Sequence, residues 1–319
     1  MDCTHKLSSD ISKIIDGLID TKKAAGFKYE KEERILRQFD SYYRREGYTG
    51  IHLTKEMTDG FIYEPGCRPS TYRIREKTLR ELGEYATDMG YTVFIVPVVT
   101  AVPASRHIPY ILSDDELRRI FAVIDNQRLS DFTDAAIVDP TLFRVLYSTG
   151  MRLSEALRLM VSDVDLEKMI LTVRISKNGE GRLVPFGASL GKQLTSYVDI
   201  TGIASDDDRY FFPGQKKGQP IDKSTVYQRF RDYLLEADVP HSFRSPCPHS
   251  FRHGFAVGCL KKWVREGKDL TTCLPYLMTY MGHSDLRATQ YYLRLTADMY
   301  PEIIAAVEAQ FGYIIPGGD

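Results

Sequence analysis

The sequence predicts a mainly helical α+β protein with two domains. The length of 319 residues is about that of two ordinary domains. Apolar residues recur at helical spacing through most of the first hundred positions, and a single alternating segment in the second half, with an Asn-Gly turn, predicts a β-hairpin. Hydrophobic residues make up 43% of the chain, so it can bury a full core.

The first domain, residues 1–100, is predicted to be a small bundle of helices. The first helix carries apolar residues at i, i+3, i+4, i+7 and i+8 and ends near Gly26: these residues are Ile11, Ile14, Ile15, Leu18 and Ile19. A second helix is expected at residues 31–45, with Ile35, Phe39 and Tyr42 facing inward. A third is expected at residues 54–62. The pattern therefore predicts consecutive amphipathic helices that bury their apolar faces against one another.

A fourth helix is predicted at residues 71–89, after a loop at residues 65–70. Its expected buried residues are Ile74, Leu79, Leu82, Ala86 and Met89. Basic residues cluster at its start, with Glu76 the only acid among them: Arg68, Arg73, Arg75, Lys77 and Arg80. Such a cluster forms either a solvated helix face or a set of contacts to phosphate groups.

A proline-rich segment, residues 101–109, is predicted to link this bundle to a second domain at residues 110–300. The pair Ser113 and Glu116 forms a capping-box pattern and predicts the first helix of that domain. Strands are expected at residues 169–176 and 182–186, with Lys177 where the first strand meets the turn. The remainder is predicted to be helical, with loops near residues 213–218 and 243–248.

Composition excludes several classes of protein. The formal net charge is −1, so any surface for nucleic acid must be a local patch. The five cysteines are scattered and form no CxxC pair, which argues against a zinc site or a disulfide framework and indicates reduced thiols in a cytosolic protein. No apolar run approaches the roughly 20 residues that a membrane span needs.

Six polar residues near loop–helix junctions form a chemically coherent set: Arg152, Lys177, His249, Arg252, His283 and Tyr292. The set has no carboxylate pair and no metal-ligand spacing, so it suits an anionic substrate whose negative charge grows during reaction. Arginine binds two phosphate oxygens at once, and histidine adds donors. Lysine can protonate a departing alkoxide, and tyrosine can attack, although its pKa near 10 requires help from neighbouring groups.

Four segments carry a resemblance to the tyrosine recombinase (phage integrase) family. Thr-Gly-Met-Arg-Leu-Ser-Glu at residues 149–155 resembles the first-arginine motif, and Ser-Lys-Asn-Gly-Glu-Gly-Arg-Leu-Val-Pro at 176–185 resembles the β-hairpin lysine motif. Pro-His-Ser-Phe-Arg-His at 248–253 is similar to the His-x-x-Arg-His box. Met-Gly-His-Ser at 281–284, followed by Gln-Tyr-Tyr at 290–292, is similar to the Gly-His box and its tyrosine. The order and spacing also fit, over nearly the whole second domain.

The resemblance implies a role for each residue. Arg152 and Arg252 would clamp the scissile phosphate, and Glu155 would orient the site. Lys177 would act as the general acid for the 5′-hydroxyl leaving group. His249 would assist proton transfer and His283 would donate to a phosphate oxygen. Tyr292, selected over Tyr291 by its spacing from His283, would form a 3′-phosphotyrosine bond. Because that bond conserves the phosphodiester energy, neither ATP nor a metal or other cofactor is expected.

The resemblance further implies that the first domain is a core-binding bundle of the SAM-like type. The two domains would form a C-shaped clamp on double-stranded DNA, and the basic cluster at residues 68–80 would contact its phosphates. The expected assembly is a homotetramer on two DNA sites, with or without a related recombinase. It would recombine DNA through a Holliday junction, and its expected location is the prokaryotic cytoplasm, at the nucleoid. Because the bundle starts almost at once, the chain is expected to be Xer-like or transposon-type, without an arm-site-binding domain.

Some alternatives stay open on the sequence alone. The apolar stripe in residues 301–319 could pack on its own domain or, as the family implies, dock on a neighbouring protomer. A type IB topoisomerase uses the same chemistry without pairing two sites. A catalytically idle DNA-binding regulator would be expected to lack one of the catalytic residues, and a structural interaction protein would have no affinity for DNA. The target site and the outcome (integration, excision, inversion or dimer resolution) are not encoded in these motifs.

Overall fold

The structure is a computed structural model that describes residues 7–67, 69–98, 109–129, 134–174, 181–203, 208–240 and 246–283. The chain divides into two compact units, Met1–Ser105 and Arg106–Asp319. Residues 101–108 of the predicted linker lie outside the described residues, as does the predicted tail at 301–319.

The first unit contains four helices in its described part: α1 (Ser12–Ala24), α2 (Glu30–Arg45), α3 (Lys55–Ile62) and α4 (Pro69–Asp88). Their apolar faces form one core, in which Ile15, Leu36 and Phe39 are fully buried. The expected inward residues of α2, namely Ile35, Phe39 and Tyr42, are all buried. Thr54 caps α3 by accepting a hydrogen bond from the Met57 amide. The predicted helical bundle is therefore confirmed.

The inner face of α4 differs from the prediction. Leu79, Leu82 and Ala86 are buried as expected, but Ile74 and Met89 are 38% and 54% exposed. Arg75 takes the place expected for Ile74, because it lies four residues before Leu79 and so on the same face of the helix. The buried stripe of α4 thus begins with a charged residue rather than an apolar one.

Two prolines expected in loops instead begin helices. Pro69 is the first residue of α4, and Pro248 is the first residue of α10 (Pro248–Arg265). Proline suits the first helical position because the amide it lacks would have no partner there and its fixed φ matches the helix. In α10 this start places His249 and Arg252 in the first two turns.

The second unit begins with α5 (Asp114–Asp125), where Ser113 and Glu116 form the predicted capping box. The remaining described helices are α6 (Ala135–Thr149), α7 (Leu153–Ala156), α8 (Ala188–Thr201), α9 (Lys223–Glu236), α10 and α11 (Leu270–Met281), with a 3₁₀ turn at Val161–Asp163. Aromatic rings fill the centre of this unit: Phe251 lies 5.8 Å from Phe143 and 5.4 Å from Phe230, measured between ring centroids. Phe251 thereby fixes α10 against α6 and α9.

A small antiparallel sheet lies beside these helices, with strand order β1 (Val164–Asp165), β2 (Ile170–Val173) and β3 (Arg182–Pro185). The register pairs Val173 with Arg182 and Ile170 with Pro185. The strands are shorter than predicted, since Met169 has φ +54° and belongs to a turn, and Arg174 and Phe186 lie just beyond the ends of β2 and β3. Residues 175–180 of the predicted hairpin lie outside the described residues. The mainly helical architecture with a small sheet confirms the predicted fold class. No described helix has the length and apolar character to cross a membrane.

Candidate active site

Three arginines from different elements converge on the carboxyl end of α11. The Arg182 Nε donates to the carbonyl of Tyr280 at 2.8 Å, Arg252 Nη2 to that of Met281 at 2.7 Å, and Arg152 Nη2 to that of Gly282 at 2.8 Å. The last carbonyls of a helix lack partners within the helix and carry its partial negative charge. The end of α11 therefore acts as the common anchor of three guanidinium groups.

The turn after α11 brings His283 to the same place. Gly282 has φ +66° and ends the helix, and the His283 amide donates back to the Met278 carbonyl at 3.0 Å. This is a Schellman-type ending, which favours glycine at the left-handed position. A Cβ on Gly282 would lie 2.8 Å from Arg182 Nη1, so the turn and the arginine are in close contact.

Arg252 is the most deeply placed of the three arginines, at 2% exposed. Its Nη1 donates to the carbonyl of Gly150 at 2.7 Å, in the turn between α6 and Arg152. Gly150 has φ +60°, and a Cβ there would lie 2.6 Å from the ring of Phe255. Arg252 thus joins the turn that precedes Arg152 to the turn that precedes His283.

Glu155 joins two of the arginines. Its Oε1 accepts from Arg152 Nη1 at 2.7 Å, and its Oε2 accepts from Arg182 Nη2 at 2.7 Å and from the Arg152 amide at 3.1 Å. Burial alone would raise the pKa of Glu155, but its bonds to Arg182 and then Arg152 lower it below the ordinary value. Glu155 is therefore ionised and holds the Arg152 guanidinium from behind.

His249 lies at the second residue of α10, with its ring 4.6 Å from that of His253 at an interplanar angle of 88°. The residue is exposed, but the protein around the ring partly desolvates it, and the positive charges of Arg252 and Arg152 oppose its protonation. Together these effects lower the pKa of His249 to about 4. Solvent screening moderates the repulsion, and the direction of the shift favours a neutral imidazole that can accept a proton.

The structure brings together Arg152, Glu155, Arg252 and His283 around the end of α11, with His249 within electrostatic range of both arginines. Lys177 and Tyr292 lie outside the described residues. Within the described part of the chain, no group of three His, Cys, Asp or Glu residues is placed to hold a metal ion. The side chains of Arg152, Arg182 and Arg252 outnumber the one carboxylate, Glu155, that pairs with them, so the site favours an anion.

The basic cluster of the first domain is dispersed by the fold. Arg75 is buried, pairs with Glu64 at 3.2 Å and lies over the ring of Phe61, so the structure corrects its expected place on an open phosphate-binding face. Arg80 donates to the carbonyls of Val96 and Pro97 at 2.7 and 2.8 Å. Arg73 and Lys77 remain exposed, and Arg68 lies outside the described residues. A DNA contact by this surface stays a prediction, for fewer residues.

Sequence reasoning missed Arg182 as a site residue. Residues 182 and 184 point to the same side of β3, and Val184 is fully buried. The available signal was a basic residue that alternates with a buried valine in the same segment as Lys177. Its side chain is 9% exposed and bonds to Glu155, which no local sequence pattern predicts.

The family model described as the phage integrase family matches residues 111–299, more than half of the chain. The chain belongs to this family. The tyrosine recombinase XerA of Thermococcus onnurineus is 30% identical over 84% of this chain and 87% of its own length. The tyrosine recombinase XerC of Salmonella typhi is 24% identical over 91% of this chain and 92% of its own. The chain is accordingly a tyrosine site-specific recombinase.

Solved structures of family members share the fold. XerH recombinase, in a post-cleavage complex with a palindromic difH substrate, superposes with a TM-score of 0.64 at 20% identity, covering 93% of this chain and 84% of XerH. The Tn1549 transposon integrase in complex with a circular intermediate DNA gives 0.62 at 16% identity, covering 88% and 94%. At these identities the likeness concerns the fold.

Proposed function

We propose that this recombinase cleaves and rejoins double-stranded DNA through a 3′-phosphotyrosine intermediate on Tyr292. The tyrosine oxygen attacks the scissile phosphorus, the bond to the 5′ oxygen breaks, and that oxygen leaves with a proton from Lys177. A different 5′-hydroxyl then attacks the phosphotyrosine and releases Tyr292. Two such exchanges on paired sites pass through a Holliday junction, and no net phosphodiester energy is lost.

One observation carries the proposal: Arg252 and Arg152 donate to the consecutive carbonyls of Met281 and Gly282, next to His283. Two guanidinium groups fixed side by side can bind both non-bridging oxygens of one phosphate. Because their contacts are formed before substrate binds, little reorganisation is needed when charge develops in the transition state. His283, on the same turn, supplies a further donor to a phosphate oxygen in this proposal.

The state of His249 fits the other half of the reaction. The lowered pKa of His249 keeps the imidazole neutral at physiological pH, so it can accept the proton that Tyr292 must lose. Desolvation is the larger cause of this lowered pKa, and repulsion by the arginines is the smaller one. The repulsion weakens once an anionic phosphate sits between the arginines. His249 then becomes a better base at the moment when the tyrosine is aimed at its target.

A groove of about 540 Å³ next to the arginine site supports a DNA-binding face on the second unit. It is lined by Ser154, next to Glu155 in the chain, and by the exposed cations Arg158, Lys216 and Lys223. Its two acids have other partners: Asp134 pairs with Arg229, and Asp222 caps α9, although Asp222 also lies within electrostatic range of Lys216. Among the described residues, none of these three cations forms an ion pair, so they are available to phosphates.

The proposed partners follow from the reaction. Exchange between two DNA sites requires four active sites, so we infer a tetramer on two sites, formed by this chain with or without a related recombinase, in the cytoplasm. The apolar stripe of residues 301–319 would dock on a neighbouring protomer and couple cleavage to assembly. XerH and the Tn1549 integrase were solved on DNA, which supports DNA as the partner here.

The test uses a nicked duplex containing a site selected from random-sequence DNA by binding to the protein. After cleavage near the nick, the short 5′-hydroxyl fragment diffuses away and the covalent complex accumulates. We expect a protein–DNA adduct that survives denaturant, forms in EDTA and is absent with Tyr292→Phe. Tyr291→Phe is the matched control, because it removes the neighbouring hydroxyl and should leave the adduct intact.

Each other outcome has a definite meaning. An adduct that persists in Tyr292→Phe and disappears in Tyr291→Phe would move the nucleophile by one residue. Tight binding without any adduct, by wild type as by Tyr292→Phe, would support the idle regulator instead. Relaxation of supercoiled DNA by one protein on one site, with no exchange between two sites, would indicate a topoisomerase-like activity.

A further inference from the structure

We propose that Arg182 is a positioning residue for strand cleavage: through Glu155 it holds Arg152 in place, and through Tyr280 it holds the turn that carries His283. The inference rests on the cleavage reaction proposed above. It adds a third arginine that does not touch the phosphate.

The contacts of Arg182 join three segments that are distant in sequence. Its Nη2 donates to Glu155 at 2.7 Å and its Nε donates to the Tyr280 carbonyl at 2.8 Å. The Tyr280 hydroxyl in turn donates to the carbonyl of Pro185, also on β3, at 2.9 Å. The Arg182 side chain and the hydrogen bond from Tyr280 to Pro185 therefore hold together strand β3, the start of α7 and the end of α11.

The guanidinium of Arg182 lies against the backbone of Gly282. A Cβ on that glycine would approach Arg182 Nη1 to 2.8 Å and Cζ to 3.0 Å. Arg182 Nη1 is buried and has no hydrogen-bond partner among the described residues. A buried donor without a partner is costly, so the site retains this arginine at a cost to stability. Arg182 contacts Glu155, the Tyr280 carbonyl and Gly282, so it supports the groups that flank the phosphate site.

Arg182 also determines how Glu155 is shared. One carboxylate oxygen binds Arg152 and the other binds Arg182 and the Arg152 amide. Without Arg182, both oxygens would be available to the Arg152 guanidinium, which could pair with them in a bidentate manner. That rearrangement would draw Arg152 away from the Gly282 carbonyl and neutralise more of its charge. The phosphate would then meet a displaced and weakened donor.

A lysine cannot replace Arg182 fully. The planar guanidinium donates from two different nitrogens in two directions, whereas an ammonium is a point charge on a flexible stem. The substitution Arg182→Lys would keep Glu155 ionised, but the new side chain would not also hold the Tyr280 carbonyl. Arg182→Lys and Arg182→Gln therefore separate the electrostatic part of the role from the geometric part.

The experiment compares wild type, Arg182→Gln, Arg182→Lys and Arg174→Gln on the nicked substrate. Arg174 is the matched control, because it lies on the same hairpin and pairs with the buried Asp163 but its side chain is 58% exposed. We expect Arg182→Gln to lower the rate of adduct formation on the order of 100-fold, as for small misplacements of catalytic groups. DNA affinity should be unchanged, and Arg174→Gln should cleave like wild type.

The pH profile separates positioning from a loss of folded protein. Two arginines face Glu155: Arg152, at the start of the same helix, and Arg182, on β3. The other titratable groups beside these arginines are Tyr280 on α11 and His249 on α10. In Arg182→Gln, Glu155 loses its stronger partner and protonates at a higher pH. The cleavage rate of Arg182→Gln should therefore fall as pH drops toward 4.5, whereas protonation of Glu155 should not yet slow wild type. Arg182→Lys should restore the wild-type pH dependence of cleavage but not the full cleavage rate.

A second measurement is independent of cleavage. The Nη2–H signal of Arg152, which donates to the Gly282 carbonyl, should exchange slowly with solvent in a nitrogen-15 NMR spectrum of wild type and faster in Arg182→Gln. Unchanged exchange, or equal rates and pH profiles for Arg182→Gln and Arg174→Gln, would overturn the positioning role. If wild type forms no adduct while Arg152 exchange depends on Arg182, the proposed cleavage reaction fails and the positioning of Arg152 stands.

Discussion

Gly282→Ala tests whether the end of α11 is as rigid as its contacts indicate. Alanine must adopt φ +66°, a left-handed conformation that costs about 1–2 kcal/mol in an L-residue. Its Cβ would also lie 2.8 Å from Arg182 Nη1, closer than real Cβ atoms come to a neighbour. Arg182 would have to give up one of its bonds, to Glu155 or to the Tyr280 carbonyl, and a hydrogen bond to a charged group contributes about 1.5–3 kcal/mol.

Gly202→Ala is the matched control. Gly202 also ends its helix, α8, with φ +62°, but a Cβ there would have no neighbour within 4 Å. It should lose the backbone cost alone, so Gly282→Ala should be the less stable variant by about 1.5–3 kcal/mol. Urea unfolding followed by the fluorescence of Trp263, the one tryptophan of the chain, reports on the second unit.

Arg182→Gln removes the group that the new Cβ would strike. The extra cost of Gly282→Ala over Gly202→Ala should therefore shrink in an Arg182→Gln background, as in a double-mutant cycle. Equal destabilisation by the two alanines in the wild-type background would refute the reasoning. It would mean that Arg182 yields freely and that its contacts do not fix the turn.

Three further predictions concern charge. Glu155→Gln leaves Arg152 and Arg182 without their carboxylate and should lower the free energy of unfolding by about 3–5 kcal/mol at neutral pH. Because folding lowers the pKa of Glu155, its stabilisation is present above the ordinary value of 4.5 and is lost below it. The urea midpoints of wild type and variant should therefore converge in acid, and a constant gap between them would contradict this. Arg75→Gln should destabilise the first unit by about 1.5–3 kcal/mol without a specific effect on DNA, as measured by circular dichroism. The exposed Arg73, replaced by glutamine, should weaken DNA binding in fluorescence anisotropy and cost less stability than Arg75→Gln. Replacing Arg158, Lys216 and Lys223 with glutamine should reduce the slope of log affinity against log salt by about 0.9 per lost phosphate contact, while Lys168→Gln, on the turn between β1 and β2, should not.

The sequence determined the local elements of this protein and the identity of its motifs. Apolar spacing predicted α1 to α4, the Ser113–Glu116 capping box predicted the start of α5, and alternation around Asn-Gly predicted the hairpin, because these signals act within a few residues. The order of the four motifs indicated the family before any contact was known. The roles of Lys177 and Tyr292 stay predictions from sequence.

Only the tertiary structure decided which charged residues lie inside. Arg75 and Arg182 belong to basic segments that resemble solvated surface in sequence, yet one is buried against Phe61 and the other beneath Gly282. Their partners are Glu64, 11 residues away, and Glu155, 27 residues away. A buried charge is stable only where such partners are supplied, and long-range packing alone supplies them. For the same physical reason the sequence indicated Arg152 and Arg252 but not the three successive carbonyls, at the end of α11 and the turn after it, that align them with a third arginine.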